Sequence, residues 1–303
     1  MSGSSEARSS AGSSLWLVNR VRIGASDAVY VERREAAGGR VEATIPVADR
    51  VDDAKWIVGG RQGVWVASEH ATLYRIDPAR NAVVEEVRVH GTGGLRAAAV
   101  SGDALVVAAD GGLVTIDPST GGWRFQELPH ARHLVGDEDG AWVASGAAVH
   151  LQRYGREPEQ VAELGGRIAA FRGAAGRAVA VTRAPGGATS GVWLLSRTRA
   201  PRNLLAEDRW APLRPLRPSG LVWLQLQVGQ GSRPGRRLVA VDVHAASLAD
   251  FGPHRLAPLA WAGQVVFGLV EGQGRVRLVR FTPGGGEPAE LGVGRYSRSM
   301  AVA

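Results

Sequence analysis

Arginine is the residue type in this chain whose placement points most directly to binding chemistry. Its planar guanidinium forms paired hydrogen bonds with carboxylates and phosphates, and a ring of such groups concentrates positive potential at its axis. When the chain is aligned on its internal repeat, each unit carries an arginine where its innermost strand is expected to begin. The predicted ligand-binding residues are Arg50, Arg96, Arg132, Arg167, Arg209, Trp210, Arg255 and Arg295. They predict an anion site at the mouth of a central channel.

Two alternatives to this anion site stay open. Arginine makes up 35 of the 303 residues, so chance alone places some arginines in register. Seven bare cations would also repel one another, so some are expected to pair with nearby carboxylates instead. The candidate partners are Asp49, Asp52, Asp53, Glu207 and Asp208.

Residues that could support catalysis or metal binding are sparse. The chain has no cysteine, which excludes a disulfide scaffold, a thiolate zinc site and a cysteine nucleophile. His130 and His133 form the closest histidine pair, and we expect loop or partly buried histidines there rather than metal ligands. Residues 137–140, Asp-Glu-Asp-Gly, lack the ligand spacing of a calcium loop and are predicted to form a solvated turn. No serine elbow or dinucleotide-binding motif occurs, so the sequence predicts no cofactor and favours a protein without catalytic activity.

A repeat of about 40 residues indicates the elements that must position the arginines. Leu-Tyr-Arg-Ile-Asp-Pro at 73–78 matches Leu-Val-Thr-Ile-Asp-Pro at 113–118, and GVWVAS at 63–68 matches GAWVAS at 140–145. Short runs of β-branched and aromatic residues end at Gly, Pro or Asp, as strands do, and almost no helix is expected. In the Ile-Asp-Pro steps, Asp is predicted to bond the backbone of its own turn. Four short strands per repeat are typical of a propeller blade.

Seven apolar markers, one for each repeat, predict an all-β, seven-bladed β-propeller. The markers are Trp16, Trp65, Val106, Trp142, Val179, Trp223 and Val266. The chain ends in a strand-like segment, residues 296–302, with no further blade to build, whereas the first marker lacks a strand before it. We therefore expect the C-terminal strand to complete the first blade, which removes an exposed sheet edge.

The repeat resembles those of bacterial seven-bladed propellers of the streptogramin-lyase-like and YVTN or PQQ-like groups. The segments GVWVAS, LYRIDPARN and ALVVAADGGLVTIDPSTG carry this resemblance, and GRAVAVTRAPGGATSGVWLLSRTRAPRNL is similar to a unit of TolB-like propellers. The resemblance implies the fold. It leaves the function open, because these groups include enzymes, sensor domains and protein-docking modules.

Charge is distributed unevenly along the chain. Residues 1–151 carry 15 basic and 19 acidic side chains, a balance of −4, whereas residues 152–303 carry 21 and 10, a balance of +11. The positive balance favours anionic partners. Only Lys55 is lysine, and a groove of interleaved basic and exposed aromatic residues is missing, so nucleic acid is not an expected partner.

The sequence also predicts how the chain is organised. Residues 1–14 are rich in serine and lack large apolar groups, so we expect a flexible tail followed by one propeller domain over residues 15–303. No apolar stretch approaches the roughly 18 residues of a membrane span. The sequence as written is typical of a soluble cytoplasmic protein, or of an extracytoplasmic one if an upstream signal or anchor was removed.

These patterns favour a non-catalytic binding or scaffold propeller that recognises a small anionic ligand, or an acidic segment of a protein partner, at the channel mouth. The alternative is a propeller enzyme of lyase or lactonase type. Streptogramin lyases, to which the repeat is similar, depend on a histidine and a magnesium ion, so this alternative requires a divalent metal held by residues from several blades.

Overall fold

The computed structural model describes most of the chain. The described residues are 14–23, 26–48, 54–60, 63–68, 71–89, 93–117, 119–211, 220–228, 235–253, 257–262, 264–272, 275–283, 287–294 and 296–302. Within them the chain forms 27 β-strands and no helix, and hence no helix able to cross a bilayer. The tail predicted at 1–14 lies outside the described residues except for Ser14, so the boundary at residue 15 stays a prediction.

The strands form seven sheets, which we number in chain order. Sheets one and two contain β27 (Tyr296–Val302), β1 (Ser14–Ile23), β2 (Ser26–Glu35) and β3 (Val41–Ala48), then β4 (Ala54–Gly60), β5 (Gly63–Ser68), β6 (Thr72–Asp77) and β7 (Ala82–Arg88). Sheets three and four contain β8 (Leu95–Ser101), β9 (Ala104–Ala109), β10 (Gly112–Ile116) and β11 (Trp123–Glu127), then β12 (Ala131–Asp137), β13 (Gly140–Ser145), β14 (Ala148–Gln152) and β15 (Glu159–Glu163). Sheet five contains β16 (Arg167–Ala174), β17 (Arg177–Arg183), β18 (Thr189–Leu195) and β19 (Arg202–Asn203). Sheets six and seven contain β20 (Leu221–Val228), β21 (Gly235–Asp242) and β22 (Ser247–Asp250), then β23 (Ala257–Ala262), β24 (Val265–Gly272), β25 (Arg275–Phe281) and β26 (Ala289–Gly294).

The sheets are arranged as the blades of a ring. The inner strands β4, β8, β12 and β16 contact one another in succession, and the inner strand β27 contacts both β4 and β23. The chain is therefore a seven-bladed β-propeller, as the sequence predicted. We call the face of the ring at which the inner strands begin the upper face, and the face at which they end the lower face.

The last strand closes the ring as expected. β27 pairs antiparallel with β1, with Leu15 opposite Val302 and Trp16 opposite Ala301. Sheet one thus combines the two ends of the described chain in the order β27, β1, β2, β3. This pairing gives β1 a neighbour on both sides and removes an edge that could pair with other molecules.

All seven apolar markers fall on the most buried strands, which we call second strands: β1, β5, β9, β13, β17, β20 and β24. Trp16, Trp142 and Trp223 are at most 1% exposed, because adjacent blades cover both faces of these strands. Blade six has three strands within the described residues, and β20 has the burial of a second strand. Residues 212–219, which precede β20, lie outside the described residues.

A β-bulge recurs where the inner strands begin. In blades two, three, four, five and seven, the pairing between the inner and second strand skips one residue near the upper face. The skipped residues are Lys55, Arg96, Arg132, Ala169 and Leu259. A bulge bends the strand and redirects a side chain, so the same irregularity serves each of these blades.

The lower face shows the predicted Asp turns and a close approach of inner strands. Oδ1 of Asp77 accepts a hydrogen bond from the backbone N–H of Ala79, and Oδ1 of Asp117 accepts one from that of Ser119, both at 2.8 Å. A Cβ atom added at Gly136 would lie 1.6 Å from the Val100 carbonyl oxygen. Glycine therefore allows β12 to contact the backbone of β8.

Candidate functional site

The starts of three inner strands surround a cavity of about 840 Å³ at the upper face. Its lining includes Arg96 from β8, Arg132 from β12, Arg167 from β16 and Arg183 at the end of β17. Residues 184, 185 and 187, from the loop after β17, complete one side. We call this space the arginine cavity, because four guanidinium-bearing residues from three blades line it.

Local backbone structure explains why arginines from separate blades meet here. Arg96 and Arg132 are the bulged residues of β8 and β12. Arg167 begins β16 and lies directly opposite Arg183 in the pairing of β16 with β17. Two like charges directly opposite each other on neighbouring strands disfavour the pairing, so this arrangement is one that a bound anion would stabilise.

One of the four arginines is neutralised within the protein. Arg96 forms an ion pair of 2.6 Å with Asp110, and the backbone N–H of Gly94 donates to the same carboxylate at 3.0 Å. These hydrogen bonds, chiefly the one from Arg96, hold the pKa of Asp110 below its ordinary value. The carboxylate thus orients Arg96 and cancels its charge.

The other three arginines are not neutralised by a described carboxylate. Arg132, Arg167 and Arg183 are exposed, and none of them forms an ion pair with a carboxylate among the described residues. Four arginines less one aspartate leave a balance of +3 at the cavity. Such a concentration of charge attracts anions and binds those that can accept several N–H groups at once.

His133 follows Arg132 in β12 and also lines the cavity. It is partly buried, and burial together with Arg172, Arg132 and Arg167 lowers its pKa from 6.5 to about 4, while a hydrogen bond with the Ile168 backbone acts in the opposite direction. The imidazole is therefore neutral at pH 7. Arg172, also on β16, donates to the Phe171 carbonyl oxygen at 2.9 Å, and its burial lowers its pKa.

The structure brings together three of the predicted binding residues: Arg96, Arg132 and Arg167. Arg50, Arg255 and Arg295 lie outside the described residues. Sequence reasoning missed two lining residues, Arg183 and His133. The position of His133 next to Arg132 was a usable signal, whereas the position of Arg183 depends on cross-strand register, which the repeat does not encode.

The structure places Arg209 and Trp210 elsewhere, which corrects the register predicted for blade six. Residues 209–211 run beside β22, where Leu248 donates to the Arg209 carbonyl and accepts from the Ala211 N–H, both at 2.8 Å. The backbone groups of Leu248 that face away from β21 are free to pair with this segment, so it is held at the far side of the sheet from β20. Arg209 pairs with Glu207 at 3.1 Å, one of the alternative partners expected for it. Ligand binding by Arg209 and Trp210 stays a prediction.

The enzyme alternative requires a metal centre. The described part of the chain contains no set of ligands for one. No group of three or more His, Asp or Glu side chains there is arranged to hold a metal ion. The described lining of the arginine cavity offers one neutral imidazole among cations, which does not fit a divalent metal.

A second cavity, of about 670 Å³, lies at the lower face between blades four and five. We call it the acidic cavity because Asp137, Glu138 and Asp139 line it. Arg197 reaches in and pairs with Asp137 at 2.8 Å and with Asp139 at 2.6 Å. Residues 137–140 were predicted to form a solvated turn, but the side chain of Asp137 is only 13% exposed.

Comparisons with known proteins show the fold alone. No protein-family model matches the chain, and no curated protein matches it. A functionally unknown protein from Desulfotomaculum acetoxidans has a similar structure, with a TM-score of 0.62 at 12% identity over 95% of this chain and 99% of that one. TolB from Acinetobacter baumannii gives a TM-score of 0.57 at 11% identity over 97% and 67% of the two chains. The dihydro-heme d1 dehydrogenase NirN gives 0.53 at 14% identity over 94% and 74%.

Proposed function

We propose that the protein is a non-catalytic binding module that holds an anionic ligand in the arginine cavity. The observation that carries this proposal is the convergence of Arg96, Arg132, Arg167 and Arg183 on one cavity, three of them without a described carboxylate partner. The ligand is either a small anion or an acidic side chain or terminus of another protein, since both present the same oxygens to the guanidinium groups.

The electrostatic repulsion among these arginines supports the proposal that an anion binds between them. Arg167 and Arg183 face each other across two strands, and Arg132 from the next blade adds a third unneutralised cation. An anion among them would convert this repulsion into attraction. Each charge-assisted hydrogen bond contributes about 1.5 to 3 kcal/mol. Several such bonds can exceed the roughly 8 kcal/mol that a micromolar complex requires, after the cost of ordering the ligand.

The size of the cavity and the geometry of arginine define the ligand class. A volume of about 840 Å³ accepts a ligand of metabolite size or the tip of a peptide segment. Guanidinium groups from three blades approach from different directions. This arrangement favours a ligand with several acidic oxygens, such as a tricarboxylate, a phosphate ester or adjacent Asp and Glu side chains.

Calorimetric titration tests the proposal with citrate and with a short peptide of alternating Asp and Glu as probes, at low ionic strength. We expect binding that Arg132→Gln together with Arg167→Gln weakens by about 100-fold, because two charge-assisted contacts are lost. Glutamine retains part of the side-chain stem and removes the charge.

The matched control is Arg199→Gln. Arg199 is exposed in the loop between β18 and β19, away from the cavity lining, and its replacement removes one positive charge. This variant should bind citrate as the unmodified protein does. Equal binding by the double variant, or the absence of binding by both probes, would overturn the proposal.

A further inference from the structure

His133 is the one histidine among the described residues that line the arginine cavity. The other charged lining residues there are Arg96, Arg132, Arg167 and Arg183. Histidine differs from these neighbours because a modest change in its surroundings moves it between neutral and charged forms in the physiological range.

We propose that His133 is a ligand for the anion and takes up one proton when the anion binds, so that the cavity prefers anions with two or more charges and binds them more tightly in acid. This inference rests on the proposed function and specifies how that same site selects its ligand.

The backbone places the imidazole for this role. His133 follows the bulged Arg132 on β12, and across the cavity wall its ring forms a hydrogen bond with the Ile168 backbone of β16. A neutral imidazole that donates one N–H keeps a lone pair on its other nitrogen, which cannot donate to an anion. Protonation from solvent turns that nitrogen into a second donor, while the hydrogen bond to the backbone is kept.

Burial, and then the charged groups around His133, explain why the free cavity keeps it neutral. Arg132 faces it from β12, Arg167 and Arg172 face it from β16, and Arg96 lines the same cavity from β8. No described carboxylate forms an ion pair with Arg132, Arg167 or Arg172 to offset their field. Together with burial, these cations lower the pKa of His133 to about 4. A bound anion opposes the same field and raises that pKa.

Proton uptake by His133 and anion binding strengthen each other, and this reciprocity identifies the class of ligand. If the anion raises the proton affinity of His133, the proton raises the affinity for the anion by the same factor. A monoanion offsets only part of a balance of +3, whereas a dianion or trianion offsets most of it. Sulfate, phosphate esters and polycarboxylates should therefore show the coupling, and chloride or acetate should show little.

Sulfate is the probe for the test because its own charge is constant over the pH range used. We expect the affinity for sulfate to rise by roughly 10- to 100-fold between about pH 8 and about pH 5, about tenfold for each unit by which the pKa of His133 in the complex exceeds the lower pH. Calorimetry in two buffers of different ionisation enthalpy should show proton uptake that approaches one per sulfate near the acid end.

Two variants and one spectroscopic measurement isolate His133. His133→Gln should lose the proton uptake and the rise of sulfate affinity in acid. His244→Gln, at an exposed turn away from the cavity, should retain both. The NMR signal of the His133 ring in the unmodified protein should titrate at higher pH with sulfate than without it, and this measurement does not depend on a variant that folds.

The outcomes separate this inference from the proposed function. Sulfate binding that needs Arg132 and Arg167 but takes up no proton would overturn the role of His133 and leave the anion site intact. The same pH dependence in His133→Gln would overturn it equally. If sulfate and citrate bind at no pH, both proposals are wrong.

Discussion

The same strands of blades four and five line two cavities of opposite charge, one rich in arginine and one rich in carboxylates. β12 and β16 contribute residues to the arginine cavity at the upper face and to the acidic cavity at the lower face. At the lower face, Arg197 forms ion pairs with both Asp137 and Asp139 within the protein. At the upper face, Asp110 neutralises Arg96, and the remaining three arginines have no described partner. The lower carboxylates therefore have a counter-charge within the protein, whereas the upper cavity keeps a balance of +3 among its described residues.

The backbone of the inner strands also differs between the two faces. Bulges interrupt the inner strands at the upper face, whereas glycines bring them into close contact at the lower face. A Cβ at Gly136 or Gly173 would overlap the neighbouring blade, at 1.6 Å from the Val100 oxygen and 2.1 Å from Val135 Cγ1. At these two glycines, adjacent inner strands therefore approach each other closely at the end opposite the proposed site.

Gly136→Ala should produce the largest change in stability. Its Cβ would meet the backbone of β8, which cannot move without displacing a whole blade, so we expect the free energy of unfolding to fall by more than about 3 kcal/mol. Thermal or urea unfolding monitored by tryptophan fluorescence measures this. Gly166→Ala at the upper face is the matched control, because its Cβ would lie 3.2 Å from the nearest atom and should cost less than about 1 kcal/mol. Similar losses for the two variants would contradict the difference in packing between the faces.

Removal of the guanidinium at the acidic cavity should have the next largest effect. Arg197→Met leaves the mostly buried carboxylate of Asp137 without its partner, and we expect a loss of about 2 kcal/mol. Arg197→Met with Asp137→Asn should recover part of this loss, because no unpaired charge then remains. At the upper face, Arg96→Met breaks an ion pair whose side chains are 55% and 48% exposed, and should cost less than about 1 kcal/mol. Denaturation of the four proteins at one salt concentration decides whether the two ion pairs differ as expected.

Acid should destabilise the ligand-free protein partly through His133. The folded protein keeps this imidazole neutral down to a pKa of about 4, whereas an ordinary histidine has a pKa of 6.5. Between these values the unfolded chain binds more protons, so stability is present above about pH 6.5 and falls as the pH is lowered. After allowance for its partial exposure, we expect His133 to account for about 1 kcal/mol of the loss between pH 7 and pH 5. His133→Gln should lack this part of the loss, and an identical pH profile for the two proteins would contradict the perturbed histidine.

Much of the fold could be predicted from the sequence because its signals are local. A second strand covered on both faces must be apolar along its length, so residues such as Trp16 and Trp142 mark the blades directly. The closure by β27 followed from counting strands. The Asp turns at Asp77 and Asp117 were predictable from the chemistry of a single side chain.

The site was less predictable because it depends on register between strands. Arg96 and Arg132 reach the cavity through bulges, and a bulge is a property of a strand pair that neither strand shows by itself. Arg183 enters because it lies opposite Arg167, which also requires the pairing to be known. In blade six, the likeness of residues 209–213 to 255–259 suggested an inner strand, whereas pairing with Leu248 holds Arg209 and Trp210 beside β22.

The repeated bulge has a consequence for how this ring could acquire new specificities. It places one bulged residue near the start of the inner strand in five blades, and those positions hold chemically unlike residues: Lys55, Arg96, Arg132, Ala169 and Leu259. The same backbone irregularity therefore occurs with basic, small and apolar side chains. Substitution at one of these positions changes the side chain that a single blade presents, so selectivity can be altered one blade at a time.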